Sequence, residues 1–76
     1  MNLVLYSRLN CHLCDAFEDE LNHFLNSIDT DCKKIDIDSL PELQDLYGND
    51  VPVLTLNNQI ICQHFFDKDK IIKVLT

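Results

Sequence analysis

Glycine is nearly missing from this chain of 76 residues, in which only Gly48 occurs. Loops that cradle nucleotide phosphates need several glycines at short spacing, so a P-loop and a dinucleotide-binding fingerprint are both excluded. Basic residues are also scarce, because six Lys and Arg stand against 13 Asp and Glu and give a net charge of −7. Such a chain repels the phosphates of nucleic acids. We therefore expect no nucleic-acid partner.

Long hydrophobic runs are missing as well. The apolar stretches are a few residues long, whereas a membrane-spanning helix needs about 20. Strand-like sequence begins at Asn2, which leaves no room for the regions of a signal peptide. The apolar fraction of 46% and the charged fraction of 25% are typical of a folded chain with room for one core. We expect a cytoplasmic monomer, with a single domain over residues 1–76 and no membrane association.

The hydrophobic periodicity predicts four strands and three helices. In chain order these are a strand within 3–6, a helix from about 11 to 27, a strand over 32–38, a short helix after 39, strands over 53–56 and 59–62, and a last helix after 67. The first two strands are joined through a helix and should be parallel, and the last two are joined by Asn57-Asn58 and should form a hairpin. The prediction is an α/β fold of order βαβαββα, a four-stranded mixed sheet covered by three helices.

Three local signals refine the boundaries of the last two helices. Ser39-Leu40-Pro41-Glu42 fits a capping box, with Ser39 as the N-cap and Glu42 reaching back to it. Gly48 follows that helix where a left-handed residue commonly ends one. Asp67 is placed as the N-cap of the last helix. All three signals indicate structural roles.

The candidate chemistry lies in Cys11 and Cys14, at the junction of the first strand and the first helix. Their spacing places both thiols on one helical face, close enough for a disulfide. The helix N-terminus directs unpaired N–H groups at the first sulfur and stabilises its thiolate, while the second cysteine lies one turn inside the helix. An exposed attacking thiol with a resolving thiol behind it is the arrangement that thiol–disulfide exchange requires.

The segment 5–14, LYSRLNCHLC, resembles the active-site opening of glutaredoxins, and Val51-Pro52-Val53-Leu54 resembles their cis-proline segment. The resemblance is greatest to the small glutaredoxin-like proteins, in which a Cys-His-Leu-Cys motif is common, and it covers nearly the whole chain. It implies a thioredoxin-like fold of the glutaredoxin type. It also implies that Cys11 is the nucleophile and Cys14 the resolving cysteine of a disulfide oxidoreductase.

The same resemblance implies roles for residues around the cysteines. Pro52 would be the cis-proline that faces them, and the backbone of Val51 would pair with the substrate. Arg8 matches a basic residue that contacts a glutathione carboxylate. His12 stands where the family often has proline; protonated, it would raise the reactivity of Cys11, and an exposed residue without a role is the equal alternative.

One departure from the glutaredoxin pattern concerns glutathione. Glutaredoxins carry Gly-Gly after the last strand, beside the γ-glutamyl end of glutathione, whereas this chain has Gln63-His64-Phe65-Phe66 there. We therefore expect weak glutathione binding and no bound cofactor. The expected partners are protein disulfides or small thiols, with glutathione or a thioredoxin-reductase-type flavoenzyme as reductant.

Two other interpretations of the chain remain open. A zinc site would need two more ligands, and Cys32, Cys62 and the three histidines show no second paired spacing, so we expect no metal. Cys32 and Cys62 fall on predicted strands and are typical of inert small hydrophobic residues.

The alternative function is non-catalytic: a thioredoxin-fold module that uses the Val51-Pro52 edge to hold an extended peptide.

Overall fold

The computed structural model describes residues 2–75, which form four strands, three α-helices and one 3-10 turn. The elements are β1 Leu3–Ser7, α1 His12–Ser27, β2 Lys33–Asp36, the 3-10 turn Ile37–Ser39, α2 Pro41–Tyr47, β3 Val53–Leu56, β4 Gln59–Gln63 and α3 Lys68–Leu75. The predicted order βαβαββα is confirmed. None of the helices within 2–75 has the length and apolar character needed to cross a membrane.

The strands form one mixed sheet in the order β2-β1-β3-β4. The inner strand β1 pairs in parallel with β2 and antiparallel with β3, and its first three residues are buried. The hairpin between β3 and β4 turns at Asn57 and Asn58, whose φ angles of 52° and 71° are those of a tight type I′ turn. The hairpin prediction is therefore confirmed.

Helices cover both faces of this sheet. Phe17 and Leu21 of α1 and Ile71 of α3 lie in one buried cluster with Leu5 of β1. Since neighbouring side chains on a strand point to opposite faces, Tyr6 must lie on the other side of the sheet. There its ring stacks on Tyr47 of α2, with centroids 4.5 Å apart. Helix α2 thus lies across the sheet from α1 and α3.

The second strand is shorter than its alternating pattern predicts. It ends at Asp36, whose carboxylate accepts a hydrogen bond from the N–H of Asp38 at 2.9 Å and starts the 3-10 turn. Ile37 is then fully buried as part of the turn rather than as a strand residue. The period-two prediction was wrong here because a side-chain-to-backbone bond competes with the ladder.

The capping box predicted for α2 is also wrong. The N-cap is Leu40, which offers no side-chain hydrogen bond, and Pro41 is the first helical residue. The hydroxyl of Ser39 instead donates to the carbonyl of Asp36 at 2.6 Å. The 3-10 turn therefore engages the serine before α2 begins. At α3 the expected cap is present, because the Lys70 N–H donates to the Asp67 carboxylate at 3.2 Å.

Gly48 does not adopt the left-handed conformation predicted for it. Its φ of −52° and ψ of −36° are right-handed and helical. A β-carbon built on Gly48 would lie 2.5 Å from the carbonyl oxygen of Gln44, so a side chain is excluded by contact and not by backbone angle. Gly48 lies so close to the last turn of α2 that only glycine fits at this position.

Candidate dithiol site

Cys11 and Cys14 are joined as a disulfide at the N-terminus of α1, with their Cα atoms 5.2 Å apart. Cys11 is the N-cap of the helix in extended conformation, and its Sγ accepts a hydrogen bond from the Cys14 N–H at 3.1 Å. Asn10, just before it, has a φ of 58° and turns the chain into the helix. The first sulfur thus occupies the position at which a capping oxygen would accept the helix N–H groups.

The two cysteines differ in access to solvent. Cys11 is half-buried, whereas Cys14 is only 2% exposed. Cys11 is therefore the more accessible of the two to a partner disulfide. The structure therefore brings together the asymmetric pair that the sequence predicts.

Carboxylates in the first half of α1, among them Asp15 and Glu18, oppose the positive end of the helix. Asp15 stands in the first turn, where its charge disfavours a thiolate at Cys11. Glu18 is balanced by Lys34 of β2, whose Nζ lies 3.1 Å from its carboxylate. The N–H of Cys14 is in direct contact with the sulfur, so the local donor acts at shorter range than either charge.

The peptide bond between Val51 and Pro52 is cis, as the resemblance implied. Val53, the next residue, pairs with Tyr6 near the carboxyl end of β1, where the chain leaves the sheet for Cys11. The cis-proline therefore lies at the same end of the strands as the loop that carries the dithiol. Its carbonyl accepts a hydrogen bond from the N–H of His64 at 2.9 Å, which ties the end of β4 to this edge.

Val51 has one of its two backbone groups in use. Its N–H donates to the carbonyl of Tyr47 at 3.1 Å, across the turn that follows α2. Pairing with an extended substrate would therefore depend on the Val51 carbonyl. That role remains a prediction, with α2 now identified as the element that positions the residue.

Arg8 is held by an internal network. Its guanidinium contacts both carboxylate oxygens of Asp38 at 3.1 to 3.3 Å, and its Nη1 donates to the carbonyl of Gly48 at 3.3 Å. Asp38 also accepts a hydrogen bond from the side chain of Gln44 at 3.2 Å. The carboxylate partner that the structure gives Arg8 is thus part of the chain itself. Binding of a ligand carboxylate by Arg8 stays a prediction and would have to displace Asp38.

His12 and the two remaining cysteines lie outside these contacts. His12 is exposed as the first residue of α1, and within residues 2–75 it makes no hydrogen bond or ion pair. Cys32 packs against the core cluster, and burial raises the pKa of its thiol to about 11. Burial likewise raises the pKa of Cys62 on β4. Both thiols are protonated at neutral pH and are poor nucleophiles.

Sequence reasoning missed an apolar rim beside the dithiol. Leu13, between the two cysteines, is 43% exposed and lines a cavity together with Phe65, which is 70% exposed. His64 lines the same cavity, has a φ of 70° and lies 3.7 Å from the carboxylate of Asp50. The signal was present, because Phe65-Phe66 follows the last strand directly. Only the fold brings Phe65 to the same cavity as Leu13.

Comparisons with solved structures agree with this geometry. The solution NMR structure of protein Ne2328 from Nitrosomonas europaea superposes with a TM-score of 0.84 at 34% identity, over 99% of this chain and 91% of that one. The X-ray structure of protein XcR50 from X. campestris gives a TM-score of 0.71 at 29% identity, over 96% and 93% of the two chains.

A more distant neighbour identifies the fold. The holo form of glutaredoxin C1 from Populus tremula x tremuloides superposes with a TM-score of 0.54 over 93% of this chain and 70% of that one. At 18% identity this likeness shows the fold alone, which is thioredoxin-like and of the glutaredoxin type. Among curated proteins, none matches the sequence significantly.

A family model described as Glutaredoxin-like domain (DUF836) matches residues 2–76. The match includes both cysteines, the cis-proline and every element of the sheet. The chain therefore belongs to the glutaredoxin-like family of the thioredoxin superfamily.

Proposed function

We propose that this protein is a thiol–disulfide oxidoreductase in which Cys11 is the nucleophile and Cys14 the resolving thiol. The observation that carries the proposal is the 3.1 Å hydrogen bond from the Cys14 N–H to the Cys11 Sγ, at a helix N-terminus and on the more accessible of the two sulfurs. In the reduced protein the same donor would stabilise a thiolate at Cys11.

The reaction proceeds by two displacements at sulfur. The Cys11 thiolate attacks one sulfur of a partner disulfide, forms a mixed disulfide and releases the other partner sulfur as a thiolate. Cys14 then loses its proton and attacks Cys11, which releases the second partner thiolate. The dithiol has lost two electrons and two protons, the partner has gained them, and the protein is left with the Cys11–Cys14 disulfide seen here.

A second thiol compound must return the disulfide to the dithiol. Glutathione would do so through a mixed disulfide on Cys11, and a thioredoxin-reductase-type flavoenzyme would do so by dithiol exchange. The substrates proposed are protein disulfides or small-molecule disulfides, to which the half-buried Cys11 is accessible. A cytoplasmic setting, where such reductants keep the pair reduced, fits this cycle.

Reduction of insulin with dithiothreitol as the final reductant tests the proposal. We expect the wild-type protein to accelerate the reaction and Cys11→Ser to fall to the rate of dithiothreitol alone. When reduced Cys14→Ser is incubated with insulin in the absence of dithiothreitol, Cys11 should form a mixed disulfide that is detectable by intact mass. Cys32→Ala is the matched control, because it removes a thiol outside the motif.

Two results would count against catalysis. One is a Cys11→Ser variant that is folded and still as active as the wild type. The other is a wild-type protein that binds unfolded polypeptide without any turnover, which would favour the non-catalytic peptide-binding module.

A further inference from the structure

A groove lies along α1, from Leu13 near the start of the helix toward its far end. Its near part, about 240 Å³ in volume, begins at Leu13 and is bounded by Phe65. Its far part, about 530 Å³, reaches Ser27 and is bounded by Lys68 at the start of α3. Both parts are lined by Glu20 and Phe66, so they adjoin each other between α1 and the segment 64–68. We call it the α1 groove.

The wall of the far part combines aromatic rings with carboxylates. Phe24 and Phe66 supply rings whose centroids are 6.1 Å apart. Asp19 and Glu20 line the same part, and within the described residues neither carboxylate has an ion-pair partner. Glu18, the neighbour of both, differs in being paired with Lys34. An apolar ligand with a positive charge satisfies both the rings and the carboxylates.

The length of the groove sets the size of its occupant. From Leu13 to Ser27 the helix advances roughly 21 Å at about 1.5 Å per residue. An extended polypeptide covers that distance in about six residues. A small thiol such as a tripeptide would fill only the near part, so an occupant of the whole groove has to be a longer chain.

We propose that the α1 groove binds an extended segment of the protein whose disulfide is exchanged, with apolar side chains and a Lys or Arg placed beside Asp19 and Glu20. This inference rests on the proposed function, because the groove begins at Leu13 between the two cysteines. The segment would flank the partner cysteine by about six residues on one side. Lys68 lines the same part of the groove as Asp19 and Glu20 and disfavours a second cation there.

Charge supports this occupant over the alternatives. The chain carries a net charge of −7, so a second copy of it would bring acidic residues to an acidic wall. A cationic segment gains attraction at long range and keeps its apolar side chains against Phe24 and Phe66.

A titration with two cysteine-free peptides tests the inference without any redox chemistry. The probes are ten-residue peptides with two Phe and two Lys, and a matched peptide with Glu in place of each Lys. The expected result in NMR is that the Lys peptide shifts backbone amides of residues 13–27 and 64–68, and that the Glu peptide binds about tenfold more weakly. The double substitution Asp19→Asn, Glu20→Gln should weaken binding of the Lys peptide about fivefold. The double substitution Glu42→Gln, Asp45→Asn on α2 removes the same two charges outside the groove and should leave binding of the Lys peptide unchanged.

Three outcomes would overturn the inference. If the two peptides bind equally well, the carboxylates do not select a cationic ligand. If neither peptide binds, the groove does not bind an extended segment. If the same amides shift on dilution of the protein alone, the groove is an interface between two copies. Insulin reduction by the same samples separates this inference from the proposed function: turnover without peptide binding contradicts only the groove, and peptide binding without turnover contradicts only the catalysis.

Discussion

The four cysteines have the same side chain and three different environments. Cys11 lies at a helix N-terminus, and Cys14 is buried in the first turn of that helix. Cys62 on β4 belongs to the core cluster, and Cys32, just before β2, packs against it. Hydrogen-bond donors favour the charged form of a thiol, and desolvation disfavours it. Environment alone therefore separates the proposed reactive pair from two thiols whose pKa values burial raises.

At the residue scale, we predict that Cys11 is alkylated as a stabilised thiolate. The N–H of Cys14 is its nearest donor, and Asp15 opposes the effect from the first turn. The rate of iodoacetamide reaction with the reduced protein should have its inflection modestly below the value of about 8.5 for free cysteine. An inflection at or above that of a free-cysteine control would show that the carboxylates dominate.

The buried thiols should make stability depend on alkaline pH. Burial raises the pKa of Cys32 from 9.0 to about 11, so between these values the unfolded chain loses this proton and the folded chain keeps it. The free energy of unfolding should therefore fall as pH rises from 9 to 11, by about 1 kcal/mol for a partly exposed thiol. Urea titrations at both pH values, with Cys32→Ala for comparison, measure the effect. An identical decrease in that variant would assign it to other groups.

At the scale of elements, α2 depends on contacts from outside itself. No residue of Pro41–Tyr47 is buried, and Leu46 is 64% exposed. The helix is held by the Tyr6 ring stacked on Tyr47, by Arg8 on Gly48, and by the link from Arg8 through Asp38 to Gln44. The backbone carbonyl of Tyr47 also accepts a hydrogen bond from the N–H of Val51. The position of α2 therefore decides the position of the cis-proline segment.

We predict that Arg8→Met loosens α2 specifically. The substitution removes the bidentate pair with Asp38 and the bond to Gly48, so hydrogen exchange of α2 amides should accelerate severalfold while α1 is unaffected. Lys34→Met is the matched control, because it removes an exposed ion pair that does not touch α2. Equal acceleration in both variants, or none in Arg8→Met, would contradict the conclusion that Arg8 holds α2 in place.

Gly48→Ala should destabilise the protein although its backbone angles suit alanine. The new β-carbon would lie 2.5 Å from the Gln44 carbonyl, and the last turn of α2 would have to open. The expected loss in the free energy of unfolding is about 1–3 kcal/mol. Denaturant titration measures it, and a stability equal to the wild type would show that the turn relaxes at no cost.

At the scale of the whole molecule, we predict poor handling of glutathione. Arg8 is engaged by Asp38, and His64 stands with a φ of 70° in the segment where glutaredoxins carry Gly-Gly, so its β-carbon keeps a ligand from the backbone. The net charge of −7 also repels a tripeptide that carries net negative charge. One exposed ion pair contributes about 0–1 kcal/mol, whereas each lost backbone bond to a charged group costs roughly 1.5–3 kcal/mol.

Steady-state reduction of a glutathione mixed disulfide, beside a glutaredoxin, measures this prediction. If one such hydrogen bond is lost, we expect kcat/KM to be at least tenfold lower than that of the glutaredoxin, since about 1.4 kcal/mol corresponds to a factor of ten. Comparable efficiency in the two proteins would refute it.

The sequence by itself determined the order of the elements, the hairpin at Asn57 and Asn58, the cap at Asp67 and the placement of Cys11 at a helix start. Each of these signals acts between residues that are close along the chain. A helical period, a residue that tolerates positive φ and a capping side chain are therefore legible without the fold.

Only the tertiary structure decided the surroundings of the dithiol. Arg8 finds its partners 30 and 40 residues away, and Phe65 lines the same cavity as Leu13 although the two are far apart in the sequence. The errors around Asp36 and Ser39 have the same origin, since two nearby hydrogen-bonding solutions competed and burial of Ile37 selected one. Local patterns specify what a segment can become, and packing between distant segments decides which possibility has the lower free energy.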